Sequence, residues 1–171
     1  MGAGNVGAVN VFKWVGKGAG IAVLLADVAK GVAAVAIAQW LLDVPQLFVL
    51  AAGLAAVVGH NWSIFLKFTG GKGVATTIGV VAILMYHYDY WYGLLIFFGV
   101  IGIGLLITRN VALSNGIALL CLPVIAWLGM KSGPFIIFTI ILGLVIGLKT
   151  LPSARAVWAK SEGIKDFIRG H

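Results

Sequence analysis

Six apolar stretches, Ile21–Leu42, Val44–Val58, Val74–Tyr86, Trp91–Ile107, Val111–Leu128 and Pro134–Leu148, occupy most of the chain, separated only by short polar connections. Inside a bilayer, segments like these must satisfy their backbone polar groups internally, which for a lone segment means helix. Several fall short of the roughly 20 residues a perpendicular span requires, so flanking loop residues complete them. Charged residues make up only 10% of the chain and hydrophobic residues 61%, whereas soluble domains carry about 25% charge. The mean hydropathy of +1.09 excludes the soluble classes. The sequence therefore predicts an all-α integral membrane protein. Short turns at Asp43–Gln46, His87–Tyr90 and Gly129–Gly133 alternate with charged connections, giving an up-and-down polytopic helix bundle with six spans. Residues 1–149 form the membrane-embedded domain and 150–171 a C-terminal tail. Gly99, Gly102, Gly104, Gly143 and Gly147 are expected to let helices approach closely.

Charge fixes the expected orientation. One side carries Lys13, Lys17, Lys67, Lys72, Arg109, Lys149, Arg155, Lys160, Lys165 and Arg169, the other only Lys131, and Lys30 lies within a span. This positive-inside asymmetry places the connections before Ile21, between Val58 and Val74 and after Ile107, with the C-terminal tail, in the cytoplasm. The opposite face carries Asp43, Asp89 and an aromatic belt from Tyr86 to Tyr92. The net charge of +7 follows from topology and attraction to anionic lipid, so it is no argument for a nucleic-acid partner.

Two of the cytoplasmic loops are unusual. The first, GAGNVGAVN from Gly2 to Asn10, contains Gly-x-Gly-x-x-Gly, but no strand can feed it, so a dinucleotide fold is excluded. The second, GHNWSIFLKFTGGKGVATT from Gly59 to Thr77, holds a Gly-Gly-Lys-Gly turn ahead of paired threonines. It fails as a Walker A loop, because Leu66 stands at the first glycine position and Gly73 follows the lysine. Free backbone amides, a lysine and a helix N-terminus together form an anion cradle. A plain turn whose lysine marks the cytoplasmic face is the alternative for this second loop taken alone.

Asp27 and Lys30 are three residues apart on one helical face, with Lys30 about 14 Å into its span at about 1.5 Å per residue. Charges at such depth pair or line a cavity. A mutual ion pair bracing the helix is the favoured reading, with substrate contact the alternative. The lone cysteine, Cys121, is expected to pack in an apolar run. No catalytic triad or metal-ligand cluster is visible, and His60, His87 and His171 are scattered. No metal or cofactor is expected.

GAGNVGAVN, the Leu-x-Asp-x-x-Lys-Gly stretch from Leu25 to Gly31, and Gly-His-Asn-Trp leading into Phe-x-Gly-Gly-Lys-Gly-Val-Ala-Thr resemble the acylphosphate:glycerol-3-phosphate acyltransferases of bacterial membranes. The resemblance covers Gly2 to Thr77 with its motifs in order, and the later spans agree in hydropathy and topology. It implies a seven-helix fold in the bacterial inner membrane, with the additional helix expected before Gly2, so that Met1 would be an internal start or a trimmed terminus. It also implies transfer of a fatty acyl group from acyl-phosphate to the 1-hydroxyl of glycerol 3-phosphate, giving 1-acylglycerol 3-phosphate and inorganic phosphate. An acyl-phosphate is already an activated anhydride, which lowers the need for a nucleophile or a metal, and the substrate phosphate would take the hydroxyl proton.

By this resemblance, Gly4, Asn5 and Asn10 shape the first loop and Lys13 meets a phosphate. Gly70, Gly71, Lys72 and Gly73 cradle the acyl-phosphate, followed by Thr76 at the start of the next helix. Lys72 is the principal catalytic candidate, and His60 orders the loop or contacts substrate. Arg109 and Lys149 are further candidates for phosphate contact. The chain also departs from the family pattern. Ala3, Val6, Val9 and Lys13 stand for serine, proline, threonine and arginine in the first motif, and Ser63 for a proline in the second. In a third motif, Lys149 and Pro152 stand for a histidine and an asparagine. Two alternatives remain open: a catalytically degenerate relative that binds lipid or phosphate, and a small transporter using Asp27 and Lys30.

Overall fold

The computed structural model describes residues 6–159 together with 161, 163 and 168. Lys160, Lys165 and Arg169 of the cationic face lie outside the described residues. Among the described residues every regular element is a helix. They group into two compact units, one through His87 and the other from Tyr88.

The first unit begins with α1, Ala8–Trp14. This part of the chain was expected to be loop as far as Asn10; instead Asn10 and Lys13 both lie on a helical turn. Gly16, at φ +145, separates α1 from α2, Lys17–Ala36. A Cβ at Gly20 would come within 2.5 Å of Phe12, so α1 folds directly back onto α2. The α2 helix widens into one π-type turn, Ile37–Leu41. Asp43, in the left-handed region at φ +46, then reverses the chain into α3, Gln46–Asn61. After a connection that includes a 3₁₀ turn at Ile64–Leu66 comes α4, Val74–His87.

Two glycines set the closest contact of this unit. A Cβ on Gly31 of α2 would lie 2.3 Å from the Thr76 carbonyl oxygen, and one on Gly79 of α4 would lie 2.2 Å from that of Val28. The two backbones therefore touch at two points, each helix supplying one glycine, which is how membrane helices gain packing without a hydrophobic driving force. Val35, Val49, Val57, Val80, Val81, Leu84 and Met85 fill the fully buried interior around this contact.

The second unit comprises α5, Tyr92–Thr108; α6, Val111–Gly129; and α7, Gly133–Trp158. Four helical stretches of the chain, Lys17–Leu41, Gln46–Leu66, Val111–Gly129 and Gly133–Trp158, are long and apolar enough to cross a membrane; Val74–His87 and Tyr92–Thr108 are shorter apolar helices. The last helix runs ten residues past the expected end at Leu148, carrying Pro152 inside it. A proline there removes the N–H that would bond the Leu148 carbonyl and crowds that carbonyl with its ring.

The glycine expectations are met only in part. Gly104 lies against Ser114, where a Cβ would be 3.0 Å from the serine Cβ, and one at Gly143 would make ordinary contact with Leu119. Among the described residues, a Cβ at Gly99, Gly102 or Gly147 would meet nothing within 4 Å. Periodicity alone does not tell which glycines lie against a neighbouring helix. The aromatic belt also needs correcting at Tyr90, which is buried: its ring rests on Gly93 and Gly129 and its hydroxyl donates to the Ile125 carbonyl at 3.0 Å. A tyrosine hydroxyl with a backbone acceptor in reach can be buried at little cost.

Candidate functional site

In the first unit, the chain leaving α3 turns back and packs against the end of that helix. After the 3₁₀ turn, Lys67 and Phe68 are both left-handed, at φ +50 and +63, and the Phe68 N–H donates to the Ser63 carbonyl at 2.9 Å. The returning segment leaves no room for side chains. A Cβ on Gly70 would lie 1.9 Å from the His60 carbonyl oxygen, one on Gly71 2.1 Å from His60 Nε2, and one on Gly73 2.3 Å from Asn61 Oδ1. Gly73 also has φ +74, a conformation that disfavours any side chain. The glycines of the turn are thus required by the Gly-His-Asn sequence at the end of α3.

The turn delivers the chain into the first turn of α4, whose free N–H groups and dipole favour negative charge. Lys72 is half-buried there, and loss of solvation lowers its pKa from the ordinary lysine value. Behind the turn, Asn61, Thr76 and Thr77 are fully buried. Their side-chain amide and hydroxyls have no hydrogen-bond partner among the described residues. Buried polar groups are nearly always paired, so these three side chains, one at the end of α3 and two in the first turn of α4, are unusual.

The Asp27–Lys30 pair reaches this same turn. Lys30 Nζ donates to Asp27 Oδ1 at 2.7 Å. His60 joins them: its Nδ1 lies 3.2 Å from Asp27 Oδ1 and contacts the Lys30 ammonium. The His60 and Asp27 side chains retain 7% and 11% exposure, Lys30 40%. The pair expected from spacing is therefore a trio linking α2 to the end of α3. It borders a cavity of about 510 Å³ where Val6 of the first motif, Ala26 of α2 and Ser63 and Leu66 of the second loop meet.

The other predicted residues fall as follows. Gly4 and Asn5 lie outside the described residues. Asn10 is half-buried on α1 and Lys13 exposed on it. Arg109 and Lys149 belong to the second unit. Arg109 is exposed and left-handed at φ +53, between α5 and α6. Next to it, the Asn110 side chain accepts from the Ala112 and Leu113 N–H groups at 3.1 and 3.2 Å, capping α6. Lys149 is half-buried on α7. Sequence reasoning missed Asn61 and the reach of His60 to Asp27 and Lys30. The signal available was a His-Asn pair closing an apolar helix, but not which way either side chain faces.

The chain matches the profile of the glycerol-3-phosphate acyltransferase family over residues 1–160. It belongs to that family. Glycerol-3-phosphate acyltransferase 1 of Dehalococcoides mccartyi is 46% identical over 149 residues, covering 87% of this chain and 72% of the relative. The glycerol-3-phosphate acyltransferase of Halalkalibacterium halodurans is 41% identical over 176 residues, covering 99% and 77%. The fold resembles that of PlsY (YgiH), an integral membrane glycerol 3-phosphate acyltransferase, at 28% identity. Its glycerol 3-phosphate form gives a TM-score of 0.76, covering 95% of this chain and 79% of the solved one. Its lysophosphatidic acid form gives 0.79, covering 98% and 84%. Membership in the glycerol-3-phosphate acyltransferases agrees with the resemblance carried by the two glycine loops and with a multi-pass membrane protein.

Proposed function

We propose that this chain transfers a fatty acyl group from acyl-phosphate to the 1-hydroxyl of glycerol 3-phosphate, at the cytoplasmic face of a bacterial inner membrane. The observation that carries this reading is the Gly70–Gly73 turn, folded tightly against His60 and Asn61 at the start of α4 with half-buried Lys72 in it. Backbone amides, a helix N-terminus and a partly desolvated ammonium suit a phosphate that must be bound in one form and released in another. The hydroxyl oxygen attacks the acyl carbon, the C–O bond to phosphate breaks, and the hydroxyl proton leaves with inorganic phosphate. Mass and charge balance with no further reactant. Lys72 stabilises the charge that gathers on the departing phosphate, and Lys13, Asn10, Arg109 and Lys149 are proposed as substrate contacts. All six apolar stretches are proposed to span the bilayer, the shorter ones with their flanking residues.

The test is phosphate release by purified protein supplied with acyl-phosphate, with and without glycerol 3-phosphate. Release that depends on the acceptor, with 1-acylglycerol 3-phosphate formed in equal amount, is expected. Absence of product from well-folded protein overturns the reading. If Ala3→Ser with Lys13→Arg then restored turnover, the chain would be a degenerate relative of an active fold.

A further inference from the structure

The geometry points to Lys30 as a positioning residue that fixes the tautomer of His60, keeping the imidazole proton on Nε2, where it faces the Gly70–Gly73 turn. Three observations carry this. The Lys30 ammonium contacts His60 Nδ1, and lysine is a donor with no acceptor capacity. A nitrogen facing an ammonium must therefore present its lone pair, which leaves the N–H of a neutral imidazole at Nε2. The same ammonium donates to Asp27 Oδ1 at 2.7 Å, while that oxygen and Nδ1 are 3.2 Å apart. The cation bridges two acceptors that would otherwise repel each other. Finally, Nε2 is the ring atom nearest to where a Cβ on Gly71 would lie, so the N–H faces the segment carrying Lys72.

On the reading that this turn holds a phosphate, the chain gains one more donor beside the backbone amides, fixed by charges on α2. Asp27 holds the ammonium in place, Lys30 orients the ring, and His60 presents the N–H. This account gives the intramembrane pair a role in the chemistry in addition to its part in holding α2 to α3.

The experiment is ¹⁵N NMR of the full chain labelled at histidine, with His60 assigned by the absence of its signals in His60→Gln. The expected result is a neutral ring protonated at Nε2, with that preference lost in Lys30→Gln, whose amide can donate or accept, and kept in Lys30→Arg, another pure donor. A ring protonated at Nδ1 in the unaltered chain, or a tautomer unchanged in Lys30→Gln, overturns the inference. Turnover supplies the second readout. Lys30→Gln should lower kcat/KM for acyl-phosphate about tenfold, the scale of one charge-assisted hydrogen bond, and Lys30→Arg should retain it. His60→Gln, which carries an N–H near the Nε2 position, should outperform His60→Asn, which places one near Nδ1; the reverse order overturns the role assigned to Nε2–H. Expected tautomers with no turnover by unaltered protein would support the assignment of His60 and overturn acyl transfer instead.

Discussion

His60 Nε2 occupies the space a side chain on residue 71 would need: a Cβ on Gly71 would sit 2.1 Å from it. The ring cannot easily move aside, because its other nitrogen is held by Lys30, which Asp27 anchors in turn. Gly71→Ala should therefore displace the turn and lower turnover by roughly 100-fold, the cost of about 1 Å of misplacement near a reacting centre. Adding His60→Ala to Gly71→Ala should return part of the loss, giving a favourable coupling in a double-mutant cycle. Gly70→Ala should show no such rescue, since its obstacle is the His60 backbone carbonyl at 1.9 Å. Additive effects of Gly71→Ala and His60→Ala would refute the contact.

Lys72→Ala is expected to reduce kcat by about 100-fold, the effect of removing one electrostatic stabiliser. Lys72→Arg should rescue poorly, because a planar guanidinium is larger than an ammonium and the turn is closely packed.

The pH profile should report the same residue. Burial lowers the Lys72 pKa below the ordinary 10.5, and the working form is the protonated one. Activity therefore falls as pH rises through the lowered pKa, so the alkaline limb of kcat/KM should lie below pH 10.5. In Lys72→Arg the residual activity should lose that limb. A limb unchanged by this substitution would assign it to another group.

Asp27→Asn and Lys30→Met should each lower the yield of folded protein, and the double variant should recover part of it. The single losses should fall below the roughly 3–5 kcal/mol of a fully buried pair broken on one side, since the Lys30 side chain keeps 40% exposure. Fluorescence-detected size exclusion in detergent measures the yield. Normal yields in both single variants would show that the trio is not needed for folding.

Orientation can be tested with an impermeant thiol reagent on intact cells, in a Cys121→Ser background. Lys131→Cys should label and Ser161→Cys should be protected. The opposite pattern would invert the assignment of both glycine loops.

Hydropathy placed the helices well. The ends of α3, α4, α5 and α6 fall within a few residues of the expected spans because apolar runs and turn residues are local properties. The helix at Ala8–Trp14 was read as loop as far as Asn10, because Gly2, Gly4 and Gly7 lead into it and the packing of Phe12 on Gly20 is not a local signal. The Gly70–Gly73 turn was conspicuous in the sequence as a glycine-rich polar insert between two apolar runs. The reason for the glycines was not, since it lies in the carbonyl and ring of His60 and the amide of Asn61, ten to twelve residues earlier and reached only after a chain reversal. Asp27 and Lys30 announced themselves by charge, yet their third member is 30 residues further on.

The mutual seating of Gly31 against Thr76 and Gly79 against Val28 has a mechanical consequence. A shift of α4 along α2 by even one residue would carry a Cβ from a neighbouring position into a backbone carbonyl at each of the two points. The two stops lie three residues apart on each helix, Thr76 and Gly79 on α4 and Val28 and Gly31 on α2, and together they resist sliding of one helix along the other. Movement within the first unit is then left to the elements outside this contact, which are α1, α3 and the reversal at Lys67 and Phe68.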